Sequence, residues 1–179
     1  MWEITKEFNF EYGHRVWTQN LNPEFSLQVQ CACRHLHGHS GKVLVTLESN
    51  QLENGMVTDF KHLQWFKKFL DDNLDHKFLI DYHDPIRESL LGGLRSVTDL
   101  SEINEFRIRT YLFDGYIPAT DYEVELINSF VVLPFVPTSE NLSKWLFDIV
   151  SNKMKEIEVK TKSVRLFETV KSQSLYVGD

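Results

Sequence analysis

Residues 31–41, CACRHLHGHSG, hold both cysteines of the chain and three of its seven histidines. Thiols and imidazoles ligate the same ions, and two cysteines with three histidines are more donors than a four-coordinate zinc uses. The stretch therefore reads as a metal site, a reactive thiol, or both. In HGH on a strand, the imidazoles of His37 and His39 are two residues apart and project to one face, and Gly38 between them leaves room for a close approach. His14, at the end of an alternating stretch that starts at Trp2, can supply a third nitrogen. Three histidines leave one zinc position open, as in a catalytic site rather than a structural one. His35 shares the nominal face and ranks below these three, because strand starts often lack regular alternation. For His14 alone, a polar residue closing a strand is a sufficient account; the HxH spacing beside two thiols favours the metal for His37 and His39.

If imidazoles hold the ion, Cys31 and Cys33 are left to act as nucleophile or base, given a neighbour that lowers a pKa starting near ~8.5. On an extended chain the two lie ~6 to 7 Å apart, too far for both to reach one substrate carbon. In LDHKFL, Asp75 next to His76 offers a proton relay at a helix end, since a carboxylate on one ring nitrogen fixes the tautomer and raises the basicity of the other. A helix-end pair facing water is the plain alternative. Glu168, in VRLFET, shares a face with Val164 and Leu166, which puts a carboxylate on the apolar side of a strand. Such a group needs water or hydrogen-bond donors, and a guanidine-like ligand edge would donate two.

These residues need strands and helices to hold them. Trp2, Ile4, Phe8, Phe10 and Tyr12 alternate with polar neighbours as in a half-buried strand, and the HGH stretch opens a second strand through Val43, Val45 and Leu47. Glu53 to Met56, ENGM, supplies a turn. Asp59 can cap a helix with apolar Phe60, Leu63, Phe66, Phe69, Leu70 and Leu74, running straight into LDHKFL. Thr138 or Ser139 can cap a second helix with Leu142, Trp145, Leu146, Ile149 and Val150 on one stripe. The end of the chain reads as two short strands around a turn near Val170 to Ser172. The order is β-β-α-insert-α-β-β. The insert, residues 80–136, is expected to be ordered: EFRIRTYLFDGY, with an Asp114-Gly115 turn, and YEVELINSFVVLP suggest an extra hairpin, and residues Arg87 to Leu94 a short helix.

With 42% hydrophobic and 25% charged residues over 179 positions, residues 1–179 read as a single domain able to bury its own core. No basic-then-apolar leader opens the chain, and no apolar run approaches the roughly 20 residues of a membrane span, so a soluble, cytoplasmic protein is expected. Two cysteines one residue apart are poorly placed to bridge one another. The formal charge of −7 argues against a general nucleic-acid binder.

The order FEYGHR, CRHLHGH, VTDF, LDHKFL, PTSENL and FET resembles the 6-pyruvoyltetrahydropterin synthase and 6-carboxytetrahydropterin synthase family, over residues 1–79 and 137–179. The resemblance implies an α+β tunnelling fold (T-fold), an antiparallel four-stranded sheet with two helices between strands 2 and 3, assembled as a homohexamer of two trimers. It implies zinc on His14, His37 and His39, a catalytic thiol at Cys33, and Asp75 with His76 completing proton transfer. It implies that Glu168 anchors the pterin and that Thr138 and Ser139 line its pocket. The implied substrate is 7,8-dihydroneopterin triphosphate. The implied product is 6-carboxy-5,6,7,8-tetrahydropterin, with release of acetaldehyde and triphosphate, on the way to queuosine. Cys33 has the C-x3-HGH spacing of carboxy-forming members and Cys31 the C-x5-HGH spacing of pyruvoyl-forming ones, so pyruvoyl synthesis is the nearest rival. A non-catalytic module with a structural Cys/His zinc site is the rival of another class, and it has no need of LDH or Glu168.

Overall fold

From Phe8 to His14 every second side chain is buried. Phe8, Phe10, Tyr12 and His14 are at most 4% exposed and Glu7, Asn9 and Glu11 face outward in the computed structural model, which describes residues 1–91 and 120–179. This is β1 (Trp2–His14), and β2 (His37–Ser49) repeats the pattern with Val43, Val45 and Leu47 fully buried. A three-residue 3-10 turn, Ala32–Arg34, precedes β2. Asn54 and Gly55 take positive φ in the expected turn, closed by reciprocal Glu53 and Met56 backbone bonds.

Asp59 does cap: its Oδ1 accepts the Lys61 N–H at 2.7 Å. The first turn, Phe60–Leu63, is 3-10, and α1 (Gln64–Asn73) follows, burying Phe66, Phe69 and Leu70 while Phe60 stays 47% exposed. Then come β3 (Lys77–Asp81), α2 (Arg87–Leu90), α3 (Asp121–Asn128), β4 (Phe130–Leu133), α4 (Ser139–Met154), β5 (Lys160–Phe167) and β6 (Gln173–Val177). Thr138 is the cap of α4, its Oγ1 accepting the Asn141 N–H at 3.2 Å.

The fold class is α+β as expected, but the sheet departs from four antiparallel strands. Among the described residues it has six, in the order β4-β3-β1-β2-β5-β6. β2–β5 and β5–β6 are antiparallel, whereas β1–β3 and β3–β4 are parallel, so the sheet is mixed. The stretch read as the run-out of a helix is β3, whose Leu79, Ile80 and Asp81 are all buried, as in parallel strands covered on both faces. The stretch read as one hairpin strand, residues 122–134, divides into α3 and β4. A capping box accounts for the division: the Glu123 N–H donates to Thr120 Oγ1 at 3.2 Å and the Thr120 N–H to Glu123 Oε2 at 3.1 Å. The other half of that hairpin, with Asp114-Gly115, lies outside the described residues, as does the end of the helix expected from Arg87 to Leu94.

Contacts divide the chain into two compact units. One comprises Met1–Glu11, His39–Asp75 and Thr138–Asp179. In it α4 lies on β5 and β6, burying Leu142, Leu146, Ile149 and Val150, and the Ser174 hydroxyl donates to the Ser139 carbonyl at 2.7 Å. The other comprises Tyr12–Gly38 and His76–Pro137. In it Tyr12, Gly13 and His14 pair with Lys77, Phe78 and Leu79, and β3 pairs onward with β4 around a core of Ile80, Leu91 and Val132. Among the described residues no helix is long and apolar enough to cross a membrane.

Gly13 lets β3 come close: a Cβ there would stand 2.6 Å from Phe78 Cδ2. Gly13→Ala is therefore expected to lower stability by about 1 to 3 kcal/mol, the usual cost of overpacking. Urea unfolding of the two proteins measures it.

Candidate metal centre

His14 closes β1 and is 1% exposed. Its Nδ1 lies 2.6 Å from the Pro137 carbonyl oxygen. A carbonyl can only accept, so the proton sits on Nδ1 and Nε2 presents a lone pair. His37, at the start of β2, repeats the arrangement: its Nδ1 is 2.8 Å from the His35 carbonyl. The two Nε2 atoms face one another at 3.1 Å. With both Nδ1 atoms donating to carbonyls, neither neutral ring has a proton for that contact. Two lone pairs are thus held in apposition, an arrangement relieved by a cation placed between them. Two nitrogens bound tetrahedrally at about 2.0 to 2.1 Å from one zinc would stand ~3.3 Å apart, close to what is found. Orientation of a ligating imidazole by a carbonyl on its far nitrogen is also what metal sites use.

His39 follows two residues after His37 on the same strand. One ligand atom from each of His14, His37 and His39 lies within 4.8 Å of the others, so the three could hold a metal ion. A Cβ on Gly38 would come 3.2 Å from the Tyr12 carbonyl, so the strand position between the two ligands is tight. His35 is exposed and contributes its carbonyl rather than its ring.

The thiols are not on an extended chain. Cys31 caps the 3-10 turn, its Sγ accepting the Cys33 N–H at 3.5 Å. The extended chain expected between them is therefore corrected: a turn, not a strand, joins them. Both are half-buried and outside any disulfide, and neither belongs to the histidine group that could hold a metal. The Cys33 carbonyl accepts the Val16 N–H at 2.8 Å, which ties the turn to the chain just past His14.

Asp75 follows α1, and its Oδ1 accepts the Glu11 N–H on β1 at 2.7 Å. His76, next in the chain, is exposed and has φ of 56°, in the left-handed region that non-glycine residues rarely occupy. Glu168 stands just past the end of β5, half-buried, with its N–H donated to Ser172 at 3.1 Å. Thr138 is engaged as the α4 cap, and Ser139 Oγ donates to Glu140 Oε2 at 3.3 Å. The convergence of His14, His37 and His39 was readable from strand alternation. The carbonyls of Pro137 and His35, which set the two rings, were not: a carbonyl leaves no signature in residue type.

Residues 3–179 match the family described as 6-pyruvoyl tetrahydropterin synthase. A protein of Aquifex aeolicus named 6-carboxy-5,6,7,8-tetrahydropterin synthase is 35% identical over 98% of this chain and 97% of its own. Among solved structures, an uncharacterized protein from Wolinella succinogenes is 44% identical with a TM-score of 0.85, covering 99% of this chain and 98% of its own. The 6-pyruvoyl tetrahydropterin synthase of Caenorhabditis elegans has a TM-score of 0.55 at 20% identity, covering 99% and 95%, a likeness of fold.

The lone-pair geometry predicts that purified protein takes up one metal ion per chain with nitrogen and oxygen neighbours alone. A Cys31→Ala, Cys33→Ala double variant is expected to keep full metal content, while His37→Ala loses affinity by a factor of about 10² or more. Elemental analysis with X-ray absorption reads both, and a sulfur neighbour in the spectrum would contradict the arrangement.

Proposed function

The chain belongs to the 6-pyruvoyl tetrahydropterin synthase family, and we propose that it is a zinc-dependent lyase converting 7,8-dihydroneopterin triphosphate to 6-carboxy-5,6,7,8-tetrahydropterin. One water is consumed as acetaldehyde and triphosphate leave, and the product serves synthesis of 7-deazaguanine nucleosides such as queuosine. The observation that carries this reading is the pair of facing ring nitrogens at 3.1 Å, with His39 as third donor, in a chain alignable end to end with a relative of that name. Zinc on His14, His37 and His39 supplies Lewis acidity toward the hydroxyls of the substrate side chain.

The rest of the chemistry falls to protein groups. Cys33 moves a proton on one side of that side chain, and Asp75 with His76 moves one on the other. Asp75 has one oxygen held by the Glu11 amide, which fixes the carboxylate beside His76 in the chain. Glu168, a half-buried carboxylate at the β5–β6 turn, accepts the paired N–H groups of the pterin's amino-pyrimidinone edge. Thr138 and Ser139 line the pterin pocket, in a homohexamer or a variant of it.

Cys33 rather than Cys31 is the thiol, because it has the C-x3-HGH spacing, leucine included, of carboxy-forming members. This supports the carboxy product over the pyruvoyl one, whose spacing requires Cys31. A structural Cys/His zinc site has no counterpart among the described residues, since neither cysteine joins the histidine group.

Incubation with dihydroneopterin triphosphate, with the product identified by mass, tests the reaction. Cys33→Ala is expected to keep its zinc and lose turnover by at least a factor of ~10². Cys31→Ala is expected to lose little beyond the stability of its cap. An inactive Cys31→Ala beside an active Cys33→Ala, with a pyruvoyl product, would replace this reading by the rival one.

A further inference from the structure

The loop after β1 is gripped by the segment after β3. Trp17 Nε1 donates to Asp81 Oδ2 at 2.8 Å. Two residues away, Arg15 Nε stands 3.1 Å from Asp84 Oδ2, the Arg15 side chain 13% exposed and that of Asp84 wholly buried. This second approach is a charge contact rather than an aligned hydrogen bond. Each carboxylate is fixed from behind by its own turn: Asp81 Oδ1 accepts the His83 N–H at 3.0 Å, and Asp84 Oδ1 the Ile86 N–H at 2.9 Å. A buried carboxylate set opposite a guanidinium is costly to separate, because removing either partner strands the other charge.

The gripped loop in turn carries the cysteine turn. The Val16 N–H, between Arg15 and Trp17, donates to the Cys33 carbonyl at 2.8 Å, and Arg34 Nη1 donates to the Gln19 carbonyl at 2.8 Å. From the other side the intervening stretch offers little: Phe25, Leu27 and Val29 are 86%, 107% and 102% exposed, so they bury nothing. We propose that Asp81 and Asp84 are positioning residues for Cys33, acting through Trp17, Arg15 and the Val16 amide. Neither touches the thiol. They form a clamp that keeps a short 3-10 turn from drifting.

The ring of His14 is set by the Pro137 carbonyl, outside the clamped loop, and His37 is held in β2 with its ring on the carbonyl of His35, the residue that closes the cysteine turn, so loosening at Cys33 is expected to leave zinc content unchanged while His35 stays in place. The expected effect on turnover rests on the reading of Cys33 as the proton-transfer thiol; the effect on its placement does not.

The test uses the full chain carrying Cys31→Ala, so that iodoacetamide reports Cys33 alone. Asp84→Asn and Trp17→Phe are each expected to speed alkylation of Cys33 by about fivefold or more, as local opening exposes it, with zinc content unchanged. Turnover of dihydroneopterin triphosphate is expected to fall ~10-fold with KM little altered, the signature of a misplaced catalytic group. Adding Arg15→Gln to Asp84→Asn restores an uncharged hydrogen-bonding pair and is expected to bring alkylation back toward the parent rate, which general loosening of the fold would not do. Trp17→Phe, which keeps a ring on the loop, decides the matter if Asp84→Asn does not fold. Alkylation at the parent rate in the folded variants, or a fall in zinc content alongside the rise, overturns the clamp. Should the parent itself lack turnover, the proposed reaction falls while the alkylation rates still decide the clamp.

Discussion

Two imidazoles that each spend their only proton on a carbonyl have nothing left to offer each other. That constraint, imposed on His14 by Pro137 and on His37 by His35, makes a pair of neighbouring histidines a candidate cation site. Much of the local architecture serves it. β3 pairs with β1 over Tyr12 to His14, β4 pairs with β3, and four residues after β4 the chain reaches Pro137. The two parallel strands thus deliver the carbonyl that sets the buried His14 ring, which gives the departure from a four-stranded antiparallel sheet a chemical consequence.

The legible part of this design was the part written in side-chain period. Alternation from Phe8 to His14, and again from His37, placed the ligand imidazoles on strand faces, and the capping chemistry of Asp59 and Thr138 located both long helices. Three things escaped for physical reasons. A five-residue strand such as β3 is too short for its apolar run to be told from a helix end, and it follows α1 after only a few residues. In residues 120–134 strand-like alternation outweighed a capping box, Thr120 with Glu123, that was present in the sequence. The cysteine turn could not be read from an assumption of extended chain, because the Cys31 sulfur serves as its cap.

The passage from α1 to β3 shows how a functional candidate and a structural device share residues. Leu74 and Asp75 both donate their N–H to the Leu70 carbonyl, and His76 takes the left-handed conformation that stops the helix. A glycine or asparagine would adopt it with less strain, since a side chain with a full Cβ costs about 1 to 2 kcal/mol there. Asp75 meanwhile extends the ladder by accepting the Glu11 N–H just before β3 begins pairing at Tyr12.

The hydrogen bond from His14 to Pro137 also bears on biosynthesis. Its partners are 123 residues apart, and the acceptor is residue 137 of 179. His14 leaves the ribosome long before Pro137, followed soon by His37 and His39, so its ring has no fixed tautomer until Pro137 has been made. A nascent chain accordingly presents a candidate site whose buried imidazole is not yet set, and that ring is fixed only once Pro137 has been made and has folded against it.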